Sequence, residues 1–431
     1  MATRKAKKSK VRKTKKSKST KKSKTTKKAS KKVSKKIPKK NKSKKINSKK
    51  APAVKEADKI IVKKGLEGVI VDDTRVSKVM PDINSLTYRG YKVQDLCEDC
   101  CFEEVAYLLW YGELPTKAQL TELQNKERSY RTISPDLLTV IEHFPKSAHP
   151  MDTIRTGVSF LGMEDDRIWE SSPEVNFDKA LRLFAKIPTI IAADYRVRNG
   201  KEPIAPEKNL SFSENFFKMC FGEVPPRDVV KAFDVSLILY AEHGFNASTF
   251  TSRVITSTMS DMYSAVTGAI GALKGPLHGG ANEQVMHMMR EVGDPAKASE
   301  WMLQALKEKR KIMGFGHRVY KSGDSRVPTM KKYAQKLADI KGEKKWMQIY
   351  EALEKTMVEQ KNIYPNLDFP AGPAYYMMGF DIDMFTPIFV MARITGWTAH
   401  IMEQTANNRI IRPLTQYVGV PQRDVVPMSK R

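Results

Sequence analysis

Residues 275–283 read GPLHGGANE, a glycine-rich break between two apolar segments of the chain. Before this break, Asp261 precedes a helical pattern in which Gly268 and Gly271 would let two backbones approach closely. A Gly-Pro pair then ends the helix. Glycine beside His278 permits tight turns and leaves backbone amides open to a ligand. The stretch therefore predicts a histidine-bearing loop between two packed helices.

The same alternation of long helices and short breaks continues over most of the chain. Helical spacing of apolar residues runs through residues 177–195, and an Asn-Gly pair follows it. Asp228 is expected to cap a helix that ends at Gly244, and Pro328 to open another. Residues 383–404 form a further long apolar helix. With no βαβ alternation, GxGxxG motif or P-loop, the sequence predicts an all-α fold with more than ten helices.

Two short runs carry the clear β signal in the chain. They are residues 69–71 (VIV) and 86–88 (LTY), with Asp82 and Asn84 as turn residues between them. We expect them to form a short N-terminal β-hairpin ahead of the helices.

The positive charge of the chain is concentrated at its N-terminus. The whole chain has 76 Lys+Arg against 48 Asp+Glu, but residues 1–50 alone hold 24 Lys, 2 Arg and no acid, so the rest is nearly neutral. Such a segment cannot bury enough apolar surface to offset its ordering entropy, and residues 1–58 are predicted to be a disordered tail. It is either a solubilising appendage or a non-specific contact for nucleic acid or another polyanion. Its Lys-rich composition without an apolar stripe disfavours a mitochondrial transit peptide.

The sequence gives little support for a membrane protein, a secreted protein or a metal-dependent protein. No run approaches the roughly 18 apolar residues that a membrane-spanning helix needs, and no secretory signal precedes the body. The four cysteines, Cys97, Cys100, Cys101 and Cys220, are too few and too clustered to staple the chain, which favours a cytoplasmic protein. Cys97 and Cys100 form half of a zinc or redox signature that no second pair completes. We predict no metal and no cofactor, and assign the cluster no role.

Three histidines lie in glycine-rich breaks: His243 in EHGFNAST, His278, and His317 in MGFGHRVYK. Basic residues follow the same breaks. They are Arg318, Lys321, Arg326, Arg393 and Arg412. Because an arginine fork binds carboxylates in bidentate fashion, the combination indicates a small polyanionic substrate. The alternatives are structural histidines and surface ion pairs.

One acid stands apart from the others. Asp368 lies in the PNLDFP loop of residues 365–370, among apolar neighbours whose desolvation could raise its pKa above the usual value of about 3.9. On its own it is either a general base or a loop cap.

Several long motifs occur together and in order. They are FEEVAYLLWYGELP (102–115), HGFNASTF (243–250), GPLHGGANE (275–283), MGFGHRVYK (313–321) followed by Asp324 and Arg326, PNLDF (365–369) and ARITGWTAHIMEQ (392–404). Together they resemble the signature segments of the citrate synthase family, over about residues 60–431 and excluding the tail.

The resemblance implies a two-domain helical fold. A large domain would comprise residues 59–277 and 380–431, a small domain residues 278–379, and the active site would lie in the cleft between them. It also implies a homodimer in which Arg412 reaches the partner's site.

The resemblance further implies residue roles. The catalytic residues would be His278, His317 and Asp368. Oxaloacetate would be held by His243, His317, Arg326, Arg393 and Arg412. Three more basic residues near the GFGH loop, Arg310, Lys311 and Lys321, are either contacts for coenzyme A phosphates or solvated surface charges.

The expected activity is that of a citrate synthase, which condenses acetyl-CoA, a co-substrate, with oxaloacetate through an enol(ate) and a citryl-CoA intermediate. After Asp368 the chain reads FPAGP, where many relatives carry an aromatic residue and Ser-Gly. This departure leaves open a 2-methylcitrate synthase that uses propionyl-CoA, since one methylene is worth only about 1–3 kcal/mol in an apolar pocket. An alternative of another class is a polyanion-binding protein that acts through its tail. The joint presence of His278, His317 and Asp368 argues against an inert body.

Overall fold

The computed structural model describes residues 62–431. The predictions for residues 1–58, a disordered tail that contacts polyanions through residues 1–50, lie outside the described residues. Within residues 62–431 the chain forms sixteen α-helices and one small sheet, so the all-α prediction is confirmed.

The helices, in chain order, are α1 (Val93–Asp99), α2 (Phe102–Tyr111), α3 (Lys117–Tyr130), α4 (Pro135–Glu142), α5 (Pro150–Met163), α6 (Pro173–Arg198), α7 (Phe212–Phe221), α8 (Arg227–Tyr240), α9 (Ala247–Ser257), α10 (Met262–Leu273), α11 (Ala281–Val292), α12 (Ala298–Lys307), α13 (Val327–Lys341), α14 (Lys345–Lys361), α15 (Asp368–Met377) and α16 (Phe385–Ala406).

The sheet has three antiparallel strands, β1 (Ser77–Met80), β2 (Ser85–Tyr88) and β3 (Tyr91–Lys92), in that spatial order. The prediction of a strand at residues 86–88 is confirmed. The prediction at residues 69–71 is wrong, because both edges of β2 are already paired, with β1 and with β3. Residues 69–71 instead run as extended, exposed chain without strand pairing.

Helix α16 lies at the centre of the core because it is apolar on nearly every face. It packs against α2, α6, α8, α9 and α10. The predicted helix over residues 383–404 is confirmed within two residues at each end. Its Trp397 is fully buried and donates a hydrogen bond from Nε1 to Ser248 Oγ at 3.0 Å.

Several predicted helix boundaries are confirmed. Helix α6 ends before Asn199, and Pro328 lies in the first turn of α13. Asp261 caps α10 by accepting a hydrogen bond from the Ser264 N–H at 2.9 Å. A side chain at Gly268 would overlap Ile255 of α9, so this glycine lets the two helices pack closely.

Three local predictions are wrong. Among residues 62–431, no atom beyond its own stretch of helix lies within 4 Å of the Cβ position of Gly271, so no close approach of a second backbone occurs there. Asp228 lies inside the first turn of α8 and does not cap it, because Pro226 occupies the capping position. The same helix ends at Tyr240, before Gly244, so Glu242 and His243 lie in the loop that follows it.

Two loops that carry candidate residues are joined by a short antiparallel bridge between Phe315 and Pro365. The Gly316 N–H donates to Tyr364 O at 2.8 Å, and the Asn366 N–H donates to the Gly314 carbonyl at 2.9 Å. This bridge brings the GFGH segment alongside the PNLD segment.

The placement of Asp368 in a loop is wrong: it is the first residue of α15. The FPAGP segment therefore forms the first turns of a helix. Pro370 is tolerated in the first turn because the N–H groups there have no helical acceptor, whereas Pro373 lies inside the helix and leaves one helical carbonyl without its N–H donor.

Residues after α16 form an extended segment, which we call the C-terminal arm (residues 407–431). It contains one short 3₁₀ turn and is largely exposed. Lys63–Arg431 form one compact unit, and the division into large and small domains stays a prediction. None of the helices in residues 62–431 combines the length and the apolar character that crossing a bilayer demands.

Candidate active site

A cavity of about 1110 Å³, here called the central cavity, opens between the loop after α8, the loop before α11, the GFGH loop and the start of α15. Most of the residues singled out in the sequence line it: His243, His278, His317, Arg326, Asp368 and Arg393. Arg412, Arg310, Lys311 and Lys321 are not part of its lining. The fold thus gathers residues from segments up to about 150 positions apart into one site.

His278 is held as a neutral imidazole with a defined tautomer. The Ser248 N–H points at its Nε2 at 3.3 Å, and Ser248 Oγ lies 2.8 Å from the same atom. Because a backbone N–H can only donate, Nε2 accepts and the ring hydrogen resides on Nδ1. Burial, together with the charge of Arg393, lowers the pKa of His278 to about 3. His278 is therefore a neutral hydrogen-bond donor.

His317 carries the opposite tautomer for a similar reason. Its Nδ1 accepts hydrogen bonds from the N–H groups of Val319 at 3.0 Å and Tyr320 at 3.2 Å. The hydrogen is consequently on Nε2. Burial and the charge of Arg326 lower the pKa of His317 to about 4. His317 therefore stays neutral near pH 7, and its Nε2–H is a hydrogen-bond donor.

The environment of Asp368 makes its carboxylate more basic than that of an ordinary aspartate. Burial raises its pKa to about 6, although the hydroxyl of Tyr240 opposes this by donating to Oδ1 at 2.7 Å. Tyr240 itself is buried, and burial raises its pKa well above the usual value, so it stays a donor. A carboxylate with a pKa near 6 is ionised at neutral pH and has more affinity for a proton than an ordinary aspartate.

Two buried arginines make one part of the central cavity positive, and they differ in their partners. Arg326 forms a bidentate pair with Asp324, with Nε–Oδ1 at 2.9 Å and Nη2–Oδ2 at 2.7 Å. Arg393 donates from Nε to the Tyr240 carbonyl at 2.6 Å and stacks on Phe389, and within residues 62–431 it has no carboxylate in ion-pair contact. Burial lowers the pKa of Arg393 to about 10. A buried cation without a carboxylate in direct contact indicates a site for an anion.

His243 completes this positive region. It is buried, its Nε2 has no hydrogen-bond partner among the described residues, and its ring meets that of His317 edge-on at 4.9 Å. Burial and the charge of Arg326 hold its pKa well below the usual value. A buried imidazole nitrogen without a partner is costly unless a ligand supplies one.

The central cavity therefore combines anion-binding cations, two neutral imidazole donors and one carboxylate base. These groups are suited to hold a small multiply charged acid, to remove a weakly acidic proton and to stabilise an oxyanion.

Comparison with known proteins places this site in a family. The family profile described as "Citrate synthase, C-terminal domain" matches residues 65–414. The chain belongs to the citrate synthase family. Family membership is therefore established over most of the chain, as the sequence motifs predict.

Named relatives in this family divide between two activities. The 2-methylcitrate synthase of Mycobacterium tuberculosis is 58% identical over 376 residues, which cover 87% of this chain and 95% of that protein. The citrate synthase of Mycolicibacterium smegmatis is 57% identical over 365 residues, which cover 85% of this chain and 97% of that protein.

The fold also has solved counterparts in the family. The citrate synthase of the archaeon Thermoplasma acidophilum, solved with carboxymethyl coenzyme A and oxaloacetate, has a TM-score of 0.83 at 33% identity. The match covers 86% of this chain and all of that one.

Three features of the site are not evident from the sequence. Tyr240 looks like one more apolar position of a helix, and only the fold places its hydroxyl on Asp368. Residues 65–72, here called the wall segment, line the central cavity although they precede every signature motif. The third is a contact of Arg318, one of the basic residues noted in the sequence: its Nη2 lies 3.6 Å from Glu67 Oε2 of this segment, and its side chain also lines the cavity.

The three proposed coenzyme A contacts lie outside the lining of the central cavity. Both terminal nitrogens of Arg310 are bonded to the Glu291 carboxylate at 2.9 Å, and its guanidinium stacks on Trp301. Lys311 and Lys321 are exposed. Their role in binding phosphate stays a prediction.

The four cysteines are unpaired and mostly buried. Burial raises the pKa of Cys100 to about 11 and raises that of Cys97 further, so these thiols stay protonated and weakly nucleophilic. Within residues 62–431 no group of three or more His, Cys, Asp or Glu side chains is arranged to hold a metal ion.

Proposed function

We propose that the protein is an acyltransferase that condenses a short-chain acyl-CoA with oxaloacetate and water, giving a tricarboxylate and free coenzyme A. The observation that carries this proposal is the convergence of Asp368, with its raised pKa, with two neutral imidazoles and an unpaired buried arginine in one cavity. Membership of the citrate synthase family supports the same conclusion.

In the first step Asp368 takes a proton from the carbon next to the thioester carbonyl. The electron pair of the broken C–H bond moves onto the thioester oxygen as an enol or enolate. His278 would donate its Nδ1–H to that oxygen, which lowers the cost of the developing charge. The Tyr240 hydroxyl holds the Asp368 carboxylate in place for the transfer.

In the second step the enol carbon attacks the ketone carbon of oxaloacetate. Arg326, Arg393 and His243 would hold the two carboxylates so that the ketone faces the enol. His317 would donate its Nε2–H to the ketone oxygen and neutralise the alkoxide that forms. Water then cleaves the thioester, and the released coenzyme A thiol is the product to be measured.

The acyl group is the finer part of the proposal. The sequence favours acetyl-CoA, but relatives named 2-methylcitrate synthase and citrate synthase are almost equally similar to the chain. Other similar relatives, from Corynebacterium glutamicum at 56% and 54% identity, are also named 2-methylcitrate synthases. We therefore favour propionyl-CoA, with acetyl-CoA and a citrate synthase activity as the second candidate.

Thiol release with oxaloacetate, measured in parallel with propionyl-CoA and acetyl-CoA, tests the proposal. We expect kcat/KM to be about tenfold or more higher with propionyl-CoA, the scale that one methylene provides. A preference for acetyl-CoA would assign the citrate synthase activity. Absence of oxaloacetate-dependent thiol release with both thioesters would contradict the proposed function.

The two-domain arrangement is part of the proposal and is supported by the origin of the residues around the cavity. His278, His317 and Asp368 belong to the predicted small domain of residues 278–379, whereas His243 and Arg393 belong to the predicted large domain. Closing one part on the other would exclude water from the enol. The cytoplasmic location is likewise proposed, and the absence of disulfides among the four cysteines supports it.

We further propose a homodimer, supported by the C-terminal arm. The arm carries Arg412 and a series of large apolar side chains that remain exposed in the single chain: Ile410, Leu414, Tyr417, Val418, Val420, Val425 and Met428. Exposure of this much apolar surface on an extended segment is typical of an arm that packs on a partner. A second copy of the chain would cover it and place Arg412 near the partner's cavity.

Co-expression of Asp368→Asn and Arg412→Gln chains tests this arrangement. Each variant alone should be nearly inactive, while random mixing should restore about a quarter of wild-type turnover. The reason is that half of the dimers contain one site with both residues intact. No restoration from mixed dimers of normal size would show that Arg412 does not act across the interface.

The hydrogen bond from Tyr240 to Asp368 predicts a shift in pH dependence. Because this bond stabilises the ionised carboxylate, Tyr240→Phe should raise the pKa of Asp368 above its value of about 6. The acidic limb of the kcat–pH profile, where the base becomes protonated, should move to higher pH by about half a unit or more. Tyr195→Phe, a change outside the cavity, is the control. An unchanged acidic limb in Tyr240→Phe would contradict the prediction.

A further inference from the structure

The loop that presents His243 is attached to a buried charged cluster that the proposed reaction does not use. Glu242 and His400 are completely buried, and Arg253 is 2% exposed. We call these three side chains the buried triad. They come from the loop after α8, from α16 and from α9, so the triad joins this loop to two helices.

The order of donors and acceptors in the buried triad follows from its geometry. Arg253 Nη1 lies 3.3 Å from His400 Nδ1, and a guanidinium can only donate. His400 therefore accepts at Nδ1 and carries its hydrogen on Nε2, which lies 3.0 Å from Glu242 Oε1. Two carboxylates also accept from the guanidinium: Asp72 Oδ2 from Nη2 and Glu403 Oε2 from Nη1, each at 2.9 Å.

Glu242 links the buried triad to the loop that carries His243. Its Oε1 also accepts from the Ser77 hydroxyl at 2.9 Å and from the Gly244 N–H. The Gly244 N–H lies 3.1 Å from Ser77 Oγ as well. The two residues that flank His243 in the chain are thus both fixed through one carboxylate oxygen.

The next residue in the loop is held by the same groups. Phe245 lies under the Arg253 guanidinium, 4.5 Å from ring centroid to cation, and meets the His400 ring edge-on at 5.4 Å. A Cβ at Gly396 would overlap Glu242, so the glycine in α16 provides the room that this carboxylate occupies. Residues on both sides of His243 are therefore clamped, while His243 Nε2 has no hydrogen-bond partner among the described residues.

We propose that Arg253, His400 and Glu242 are positioning residues that orient His243 towards the keto acid. The proposal rests on the proposed function, in which His243 binds oxaloacetate. A purely structural triad would affect the stability of the folded chain, whereas a positioning triad also controls the affinity for one of the two substrates.

The test uses two pairs of variants in the full-length protein. Ser77→Ala removes a hydroxyl from Glu242, and Ser77→Thr keeps one. His400→Leu removes the donor to Glu242, and His400→Gln can place an N–H at the same point. Glu354→Gln, which breaks the 2.7 Å ion pair with Lys331 outside the cavity, is the control.

In Ser77→Ala and His400→Leu we expect the KM for oxaloacetate to rise about tenfold, with kcat and the KM for the acyl-CoA within about twofold of wild type. This pattern is the signature of lost ground-state binding. Ser77→Thr, His400→Gln and Glu354→Gln should remain near wild type. If Ser77→Ala lowers the melting temperature but leaves the KM for oxaloacetate unchanged, the triad is structural and the proposal is wrong.

A second measurement keeps the proposal separate from the proposed function. Histidine ring resonances of ¹⁵N-labelled protein report the tautomer and the environment of His243 without turnover. Ser77→Ala should shift the His243 resonance, and Glu354→Gln should not. A wild-type protein without thiol release would refute the proposed function, while an unshifted His243 in Ser77→Ala would refute the positioning role.

Discussion

Asp368→Asn is expected to lower kcat for oxaloacetate-dependent thiol release by a factor of about 10² to 10⁴, the range that removal of a general base produces. Asparagine keeps the shape of the side chain and can still contact the Tyr240 hydroxyl, but it cannot take the proton from the thioester. The KM values should change little, because the amide removes a group that acts in the transition state. Steady-state kinetics with both substrates measures the effect.

The same substitution has an expected effect on stability with a definite dependence on pH. The pKa of Asp368 is raised to about 6 in the folded chain, above the value of about 3.9 in an unfolded one. The folded state therefore holds the proton more tightly, and ionisation destabilises it as pH rises from about 4 through 6. Asp368→Asn removes this penalty, so its melting temperature should exceed that of wild type more at pH 8 than at pH 4.

An exposed aspartate provides the control for both effects. Asp339→Asn, on the surface of α13, should leave kcat and the pH dependence of melting unchanged. Retention of most of the activity in Asp368→Asn would remove this carboxylate from the mechanism. A lower melting temperature at pH 8 would show that its charge is stabilised, contrary to the burial seen here.

Sequence predicts most of the fold where local signals and tertiary packing agree. Asp261 and Pro328 mark helix starts by their own chemistry, and the structure follows them. Residues 69–71 have equally good β character, but their predicted partner β2 is paired on both sides, with β1 and with β3. Asp368 looks like a loop residue because proline follows it, although proline is also compatible with a first helical turn.

In the site, the sequence does not show which side chains contact one another. Arg310 and Arg393 are both arginines near glycine-rich or aromatic segments, and composition alone does not separate them. The fold gives Arg310 the exposed carboxylate of Glu291, and it buries Arg393 without one. Tyr240 is the same kind of case, since its contact with Asp368 joins residues 128 positions apart.

Because Arg393 has no carboxylate in contact within residues 62–431, its substitution is the second change for which we expect a large effect. Arg393→Met is expected to lower kcat/KM for oxaloacetate by about 10² to 10⁴, because a hydrogen bond to a charged group contributes about 1.5–3 kcal/mol and the fork can make two. Methionine retains an unbranched apolar stem that can still lie against Phe389. The loss should appear mainly in the KM for oxaloacetate and less in that for the acyl-CoA.

Although Arg393→Met should lose activity, its thermal stability should not fall. In the ligand-free protein the buried Arg393 charge has no carboxylate partner within residues 62–431, so its removal relieves a desolvation cost and sacrifices one hydrogen bond to the Tyr240 carbonyl. The melting temperature of Arg393→Met should therefore equal or exceed that of wild type. Oxaloacetate should raise the melting temperature of wild type and not that of the variant.

Arg131→Met is the matched comparison, because Arg131 is equally buried but bonded to the Glu127 carboxylate at 2.8 Å. Removing it strands a buried acid, which costs about 3–5 kcal/mol, while the kinetics should be unaffected. Two arginines of similar burial are thus expected to behave in opposite ways. Arg131 stabilises the fold through an internal partner, whereas Arg393 is expected to weaken the ligand-free protein because, in the proposed function, its partner is the substrate. If Arg393→Met destabilised the protein as much as Arg131→Met does, Arg393 would have to be a structural residue, and the anion site would have to be sought around Arg326 and His243 alone.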